Sequence, residues 1–259
     1  ADHVLVTPVY AAGEAPIDEK TKSELVAKLR RDNGDAYALI ADEVEAFLAQ
    51  ELSQMTPEDL GQIDTFRGEE DRVLRGAIAA LRARDWPKGK AWCEARKGER
   101  SFWLQRDQRR RMAWMLVAEA TELGETIARH PKPFAGARSL EEATERYSAG
   151  AFEVDRAHRR FEQKRLALLD SRLPHSGDLL EVATDLRRAH RAWADALARD
   201  FAKLCTEHGF LPPAALQQRT LFEQVVVPLL RPGEKVAVFL IDAFRFEMAT
   251  EIVNELAGA

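Results

Sequence analysis

Residues 235–248 have the sequence KVAVFLIDAFRFEM, and the interpretation of the whole chain starts from this stretch. Six consecutive apolar residues, Val236 to Ile241, are followed by Asp242 and then by a helical pattern. A short apolar run of this kind is typical of a strand that is covered on both faces. We therefore predict a buried strand that ends at Asp242, at the edge where open α/β sheets place ligands and metals.

The sequence before this stretch is helical in pattern along most of its length. Residues 36–52, 101–130 and 176–208 each repeat apolar side chains every three or four positions, which places them on one face of a helix. The last of the three is the most regular. Between these segments, residues 148–150 predict a turn between two helices, and residues 214–230 predict a final helix before the strand.

The predicted fold class is therefore predominantly α, with a multi-helix assembly leading into the first strand and helix of an α/β domain. We expect an N-terminal strand, loop and helix over residues 1–33, a helical domain over 34–233, and the start of the α/β domain over 234–259.

Composition excludes several classes of protein. The chain has 259 residues, of which 46% are hydrophobic and 31% charged, as expected for a soluble globular protein. Its net charge of -5 gives no argument for nucleic-acid binding by the chain as a whole. Cys93 and Cys205 lie far apart, so neither a disulfide framework nor a cysteine zinc site is indicated. No apolar run approaches the ~20 residues of a membrane span, and no signal peptide is visible, so a cytoplasmic location is expected.

Asp242 has two interpretations at this stage. A carboxylate at the end of a strand is ionised and fixed in place, which suits a divalent-metal ligand. Aspartate is also a good N-cap residue, and spacing alone favours a cap for a helix over residues 243–256. In that helix an apolar stripe predicts core packing, and a parallel acidic stripe predicts a solvated face. The apolar stripe is Phe244, Met248, Ile252 and Leu256, and the acidic one is Glu247, Glu251 and Glu255.

Three basic clusters lie on predicted helices and have two interpretations as well. Each could follow a phosphate backbone, but acids nearby in sequence favour a solvated, salt-bridged helix face. The clusters are Arg106, Arg109, Arg110 and Arg111; Arg156, Arg159, Arg160, Lys164 and Arg165; and Arg187, Arg188 and Arg191. His190 lies on the apolar face of its helix between Leu186 and Trp193, where a hydrogen-bonded core histidine is expected.

The segment VFLIDAFRFEMA, residues 238–249, resembles the opening of the PglZ domain, in which a strand, the pattern D-A-x-R-aromatic-E and a helix occur together. Residues 209–230 and 147–162 resemble the helical region that precedes that domain, and the stretch from about residue 60 to 130 does so more weakly. Phe246 stands where tyrosine is expected. The first residues, ADHVLVTPVYAAGEAPI over 1–17, are similar to a segment of UDP-N-acetylmuramate–alanine ligases, which suggests a hybrid construction or a chance similarity.

The PglZ resemblance implies membership of the alkaline phosphatase superfamily and a part in BREX-type bacterial anti-phage defence. It implies a divalent metal, often zinc, with Asp242 as the first ligand, and hydrolysis of phosphate esters, with nucleic acid as a candidate substrate. Arg245 and Glu247 match the motif as candidate phosphate contacts or supports of the metal ligands. The nucleophile and the other ligands lie downstream in this family, so this stretch alone is expected to be inactive. The alternative is a non-catalytic helical scaffold that binds partner subunits of a defence complex.

Overall fold

The computed structural model describes residues 19–60, 64–96, 101–230, 235–239, 241–242 and 244–258. Within these residues the chain is predominantly helical and has no strand, which confirms the α part of the predicted fold class. The α-helices are α1 Glu19–Asp32, α2 Gly34–Phe47, α3 Ala49–Gln54, α4 Pro57–Leu60, α5 Arg67–Arg82, α6 Trp86–Ala95, α7 Phe102–Arg106, α8 Gln108–Arg129, α9 Leu140–Arg146, α10 Phe152–Arg165, α11 Ser176–His208 and α12 Phe246–Ala257. Each of them is too short or too polar to span a bilayer.

The chain divides into two compact units. The first unit comprises residues 1–122 and 164–183, and the second comprises residues 123–163 and 184–259. The predicted domain boundaries, after residues 33 and 233, stay predictions. Residues 1–17, including the predicted N-terminal strand and the ligase-like segment, lie outside the described residues.

The core of the first unit is built around α5, which packs against α4 and α6. Its buried side chains repeat at helical spacing, and each is at most 3% exposed: Val73, Leu74, Ala77, Ile78 and Leu81. A second cluster joins Tyr37 and Ala41 of α2 to Phe66 and Trp103. Burial of this much apolar surface is the main term that stabilises the unit.

One aspartate supports the second cluster of the first unit. Asp64 accepts hydrogen bonds from Phe102 N at 2.6 Å and from Ser101 Oγ at 3.0 Å. Burial raises the pKa of its carboxyl to about 6, although both hydrogen bonds and Arg30 oppose this change. The interaction ties the segment before α5 to the start of α7.

The core of the second unit includes Phe134, Leu140 and Ala143 together with Leu204 and Cys205 of α11. Trp193 is 5% exposed and donates its indole N–H to His130 O at 2.7 Å. Periodicity placed Trp193 on the apolar face of its helix, and its burial confirms that placement.

Several predicted helices have different boundaries in the structure. The prediction of one helix over 36–52 misses a break at Leu48 between α2 and α3. The predicted helix over 101–130 is interrupted at Asp107, whose Oδ1 accepts a hydrogen bond from Arg110 N at 3.1 Å. An aspartate in this position satisfies a free N–H group in the first turn of α8 and so favours a new helix start. The predicted end of α11 is confirmed by Gly209, whose φ is +82°.

The predicted turn at residues 148–150 is wrong, because the backbone stays helical there. Tyr147–Ala151 forms a π-helical turn that connects α9 to α10, and both flanking residues have right-handed helical dihedrals. A Cβ atom on Gly150 would lie 2.9 Å from Cε1 of His130, so the glycine permits a close approach to that ring. Glycine was taken as a turn signal, whereas its function here is to leave space within a continuous helical stretch.

The predicted last helix over residues 214–230 is not a regular α-helix. The chain forms short 3-10 turns at Ala214–Leu216 and Gln218–Thr220, a π-helical turn at Phe222–Val226 and a 3-10 turn at Val227–Leu229. Pro228 has no N–H group to donate to an α-helix, and its ring would clash with the preceding turn.

The predicted buried strand at Val236–Ile241 is not found in the part of this stretch that the structure describes. Residues 235–239 and 241 have irregular backbone, and Val238, Phe239 and Ile241 are 49%, 84% and 61% exposed. A strand requires a neighbouring strand to pair its N–H and C=O groups, and none exists among the described residues. The prediction of an α/β domain start is therefore not confirmed, although the helix expected after Asp242 is present as α12.

Candidate functional site around helix α12

Asp242, the predicted metal ligand, lies in an exposed turn four residues before α12. The residue at the N-cap of α12 is Arg245, and no side chain caps this helix end. The interpretation of Asp242 as the cap of a helix over 243–256 is therefore wrong, because the helix starts later than the pattern suggested.

The described residues contain no group of three or more His, Cys, Asp or Glu side chains placed to hold a metal ion. Asp242 can donate carboxylate oxygens, but divalent ions in proteins take several ligands. The described residues therefore do not form a complete metal site, and the role of Asp242 as a first ligand stays a prediction.

Arg245 and Glu247, the other two predicted site residues, do lie together. Glu247 is only 1% exposed, and its Oε1 is 3.6 Å from Arg245 Nη1 and 3.9 Å from Arg159 Nε. Glu247 Oε1 has no hydrogen-bond partner at these distances. The Arg245 side chain is 64% exposed, so it covers one side of Glu247 and leaves most of its own surface in solvent.

Two arginines of α10 bind the acidic face of α12. Arg159 Nη2 lies 2.5 Å from Glu251 Oε2, and Arg160 Nη2 lies 2.9 Å from Glu251 Oε1. Burial acts to raise the pKa of the Glu251 carboxyl, but the two arginines together outweigh the effect of burial. The pKa of Glu251 therefore lies below its ordinary value. The carboxylate is thus ionised and shared between two cations on a neighbouring helix.

The predicted orientation of α12 is consequently reversed. Glu247, expected on a solvated face, is buried, whereas Ile252 and Leu256, expected in the core, are 44% and 73% exposed. The physical reason is that α10 offers arginines rather than an apolar surface, so Glu247 and Glu251 of α12 face it. Phe246 adds an aromatic contact, with its ring centroid 5.3 Å from that of Phe152 in an edge-to-face arrangement.

The segment that contains this helix can be compared with known families. Residues 221–259 match the BREX system PglZ alkaline phosphatase-like domain. This confirms the resemblance predicted from VFLIDAFRFEMA. No curated protein and no solved structure gives a significant match to the chain. The resemblance proposed for the more N-terminal helical stretches and for residues 1–17 stays a prediction.

Beside α12, the π-helical turn at Tyr147–Ala151 shares a half-buried polar network with α10 and α11. Tyr147 Oη donates a hydrogen bond to Asp155 Oδ2 at 2.7 Å, and His190 Nε2 lies 3.6 Å from Asp155 Oδ1. Burial, together with Asp155, raises the pKa of Tyr147. Burial also acts to raise the pKa of Asp155, but His190 and Tyr147 stabilise its ionised form more strongly, and its pKa lies below the ordinary value.

The network continues through two histidines. The rings of His158 and His190 are parallel, with centroids 3.6 Å apart. Burial, reinforced by His190, lowers the pKa of His158, which favours its neutral form. Glu162 lies 3.7 Å from His158 and 2.8 Å from Arg187. His190 is thus half-buried beside Trp193, as predicted, but its Nε2 lacks the expected hydrogen bond.

The basic clusters are largely salt-bridged, as the sequence predicted. Arg109 pairs with Asp170 at 2.9 Å, Arg187 with Glu162 at 2.8 Å and Arg188 with Asp185 at 3.0 Å. Sequence analysis identified the arginines but not their distant partners: Arg159 and Glu251 are 92 positions apart. No local pattern in the sequence pairs those two residues. The basic residues of α10 and the acidic stripe of α12 were the only sequence signals that could have indicated this contact.

Proposed function

We propose that this chain is part of a BREX-type anti-phage defence component whose phosphatase-like domain hydrolyses phosphoester bonds with a divalent metal. The observation that carries the proposal is the match of residues 221–259 to the PglZ domain. In this proposal Asp242 supplies the first metal ligand, and the ligands that complete the site are not among the described residues. Zinc is the favoured ion, and nucleic acid is the candidate substrate.

The described residues contribute to this function by fixing the helix that follows Asp242. Arg159 and Arg160 hold Glu251, while Arg159 and Arg245 flank Glu247, so the start of α12 is held to α10 by charge on one face. A ligand placed on the short connection before a fixed helix loses less conformational freedom when it binds an ion. Arg245 remains mostly exposed and is free to contact an anionic substrate.

The test compares the full-length protein with its Asp242→Ala variant. We expect the variant to lose metal-dependent hydrolysis of a phosphodiester by at least ~100-fold and to bind zinc more weakly in calorimetry. Glu255→Ala is the matched control, because Glu255 is an exposed carboxylate of the same PglZ segment. Equal activity and equal zinc affinity in the wild type and Asp242→Ala would reject the ligand role.

A second candidate function is a scaffold that binds other subunits of the defence system. It is favoured by large apolar side chains that are exposed in the C-terminal part of the chain: Phe210 at 83%, Leu211 at 73% and Phe239 at 84%. Exposed apolar surface of this kind often marks a protein interface. If scaffolding is the function, Phe239→Ser should weaken copurification with the defence subunits, and Asp242→Ala should leave both complex formation and defence intact.

The expected cytoplasmic location stays a prediction.

A further inference from the structure

A shallow cleft of about 530 Å³ lies in the first unit beside the first turn of α5. Four of its lining side chains are cationic and two are anionic: Arg67, Arg72, Arg75 and Arg110 against Glu45 and Asp71. A smaller depression of about 160 Å³ shares Arg67 and Arg110 with it and adds one further cation, Arg106, and one acid, Asp107. The cleft is thus locally positive on a chain whose net charge is -5.

Two guanidinium groups in the cleft have unsatisfied donors. Arg110 is 8% exposed, and its Nε is buried without a hydrogen bond; the nearest carboxylate oxygen, Asp107 Oδ2, is 3.6 Å away. Arg72 Nη1 is likewise buried and makes no hydrogen bond. A buried donor without an acceptor is destabilising, so these two side chains gain a hydrogen bond if they turn toward an anion in the cleft, although Arg110 Nη1 already donates to Arg67 O at 3.1 Å.

The first turn of α5 already holds an anion from the protein itself. Gly68 N donates a hydrogen bond to Glu45 Oε1 at 2.8 Å. A Cβ atom on Gly68 would lie 2.0 Å from that oxygen, so only glycine allows the carboxylate to approach the backbone. Burial raises the pKa of Glu45, but the hydrogen bond from Gly68 N acts in the opposite direction, as expected at a helix N-terminus, which favours negative charge. The carboxylate therefore occupies a position that suits other anions as well.

We propose that this cleft binds the backbone phosphates of a nucleic-acid strand through Arg67, Arg72 and Arg110, displacing Glu45 from the first turn of α5. Guanidinium groups bind phosphate through paired hydrogen bonds, and several arginines along an open cleft suit a chain of phosphates better than a single enclosed ion. Arg67 is held in place because its guanidinium stacks 4.9 Å from the Trp103 ring centroid. This inference does not depend on the phosphatase-like site, since no residue of the PglZ segment takes part.

The test measures binding of a fluorescein-labelled 20-nucleotide single-stranded DNA by anisotropy at several salt concentrations. We expect Arg72→Gln and Arg67→Gln each to weaken binding by about tenfold and to reduce the salt slope by about one. Arg188→Gln is the matched control, because it removes the same charge from an exposed pair in the second unit. Circular dichroism would establish that the variants are folded.

The Glu45→Gln variant gives the sharpest result, because a gain in affinity cannot come from misfolding. Removal of the internal anion should strengthen DNA binding by about fivefold if phosphate and carboxylate compete for the same first turn. The proposal is overturned if Arg67→Gln and Arg72→Gln bind DNA like Arg188→Gln, or if Glu45→Gln has no effect. It is also overturned if a polyglutamate peptide binds as tightly as DNA and with the same sensitivity to Arg72, since that result would identify an acidic protein as the ligand.

Discussion

Helices α5 and α12 have the same kind of amphipathic sequence, but they bury opposite faces. In α5 the apolar stripe is inside, with Val73 and Leu74 fully buried. In α12 Glu247 is buried and Glu251 is partly covered, whereas Val253 and Leu256 are 62% and 73% exposed. The difference shows that a helical period identifies two faces, whereas the neighbouring element determines which of them is covered.

Both helices also bury glutamate side chains, Glu69 and Glu70 on α5 and Glu247 on α12, and the carboxylates of Glu70 and Glu247 are satisfied differently. On α5, Glu70 is completely buried and accepts hydrogen bonds from Arg96 Nε at 2.7 Å and Trp114 Nε1 at 2.6 Å. On α12, Glu247 is 1% exposed, but its Oε1 has only cations at 3.6 Å and 3.9 Å and no hydrogen bond. The first arrangement is a completed core interaction. The second is a looser electrostatic contact.

The largest effect is expected for the α5 glutamate. Arg96→Met removes the cationic partner of a carboxylate with no solvent access, which should lower the free energy of unfolding by about 3–5 kcal/mol. The control is Arg188→Met, because Arg188 and Asp185 form an exposed pair 3.0 Å apart, for which we expect less than ~1 kcal/mol. Denaturant titration of both variants gives the comparison. Similar losses in the two proteins would contradict the assignment of Glu70 and Arg96 to the core.

The second-largest difference is expected between the apolar stripes of α5 and α12, in the stability lost when a leucine is truncated. Leu74→Ala creates a cavity in the packed face of α5 and should cost about 2–5 kcal/mol. Leu256→Ala, on the uncovered face of α12, should change stability by about 0.5 kcal/mol or less. Both free energies can be measured by urea denaturation. A cost at Leu256 comparable with that at Leu74 would mean that the apolar face of α12 is covered in solution.

The sequence predicts helices well in this chain because periodicity and capping are local properties. Ser139 caps α9 by accepting a hydrogen bond from Glu142 N at 3.1 Å, and α11 ends at His208, as predicted. The breaks at Leu48 and Asp107 are harder to predict, because the apolar pattern continues across them. The prediction of a strand at Val236–Ile241 was not confirmed for a different reason. A strand requires a neighbouring strand with which to pair, and a local sequence pattern does not show whether one is present.

The candidate site shows the same limit. Sequence analysis identified Asp242, Arg245 and Glu247 together, and the structure places the last two in contact. The sequence does not identify Arg159 as the residue that contacts Glu247, because the two come from distant parts of the chain. An acidic stripe next to an apolar stripe is usually solvated, and only the arginines of α10 reverse that expectation.

A smaller effect than at Glu70 is expected for the α12 glutamate, and it tests whether Glu247 differs from Glu70. Glu247→Gln keeps the shape of the side chain and removes a charge that makes no hydrogen bond through Oε1. Because Glu251 retains its two arginines, the free energy of local opening of α12 should fall by only about 1 kcal/mol. This change corresponds to about a fivefold loss of amide protection. Hydrogen exchange of α12 measures this locally, with Glu255→Gln as an exposed control that should leave protection unchanged. Loss of protection by a hundredfold would mean that Glu247, like Glu70, is a required core interaction and that the contact between α10 and α12 depends on it more than on Glu251.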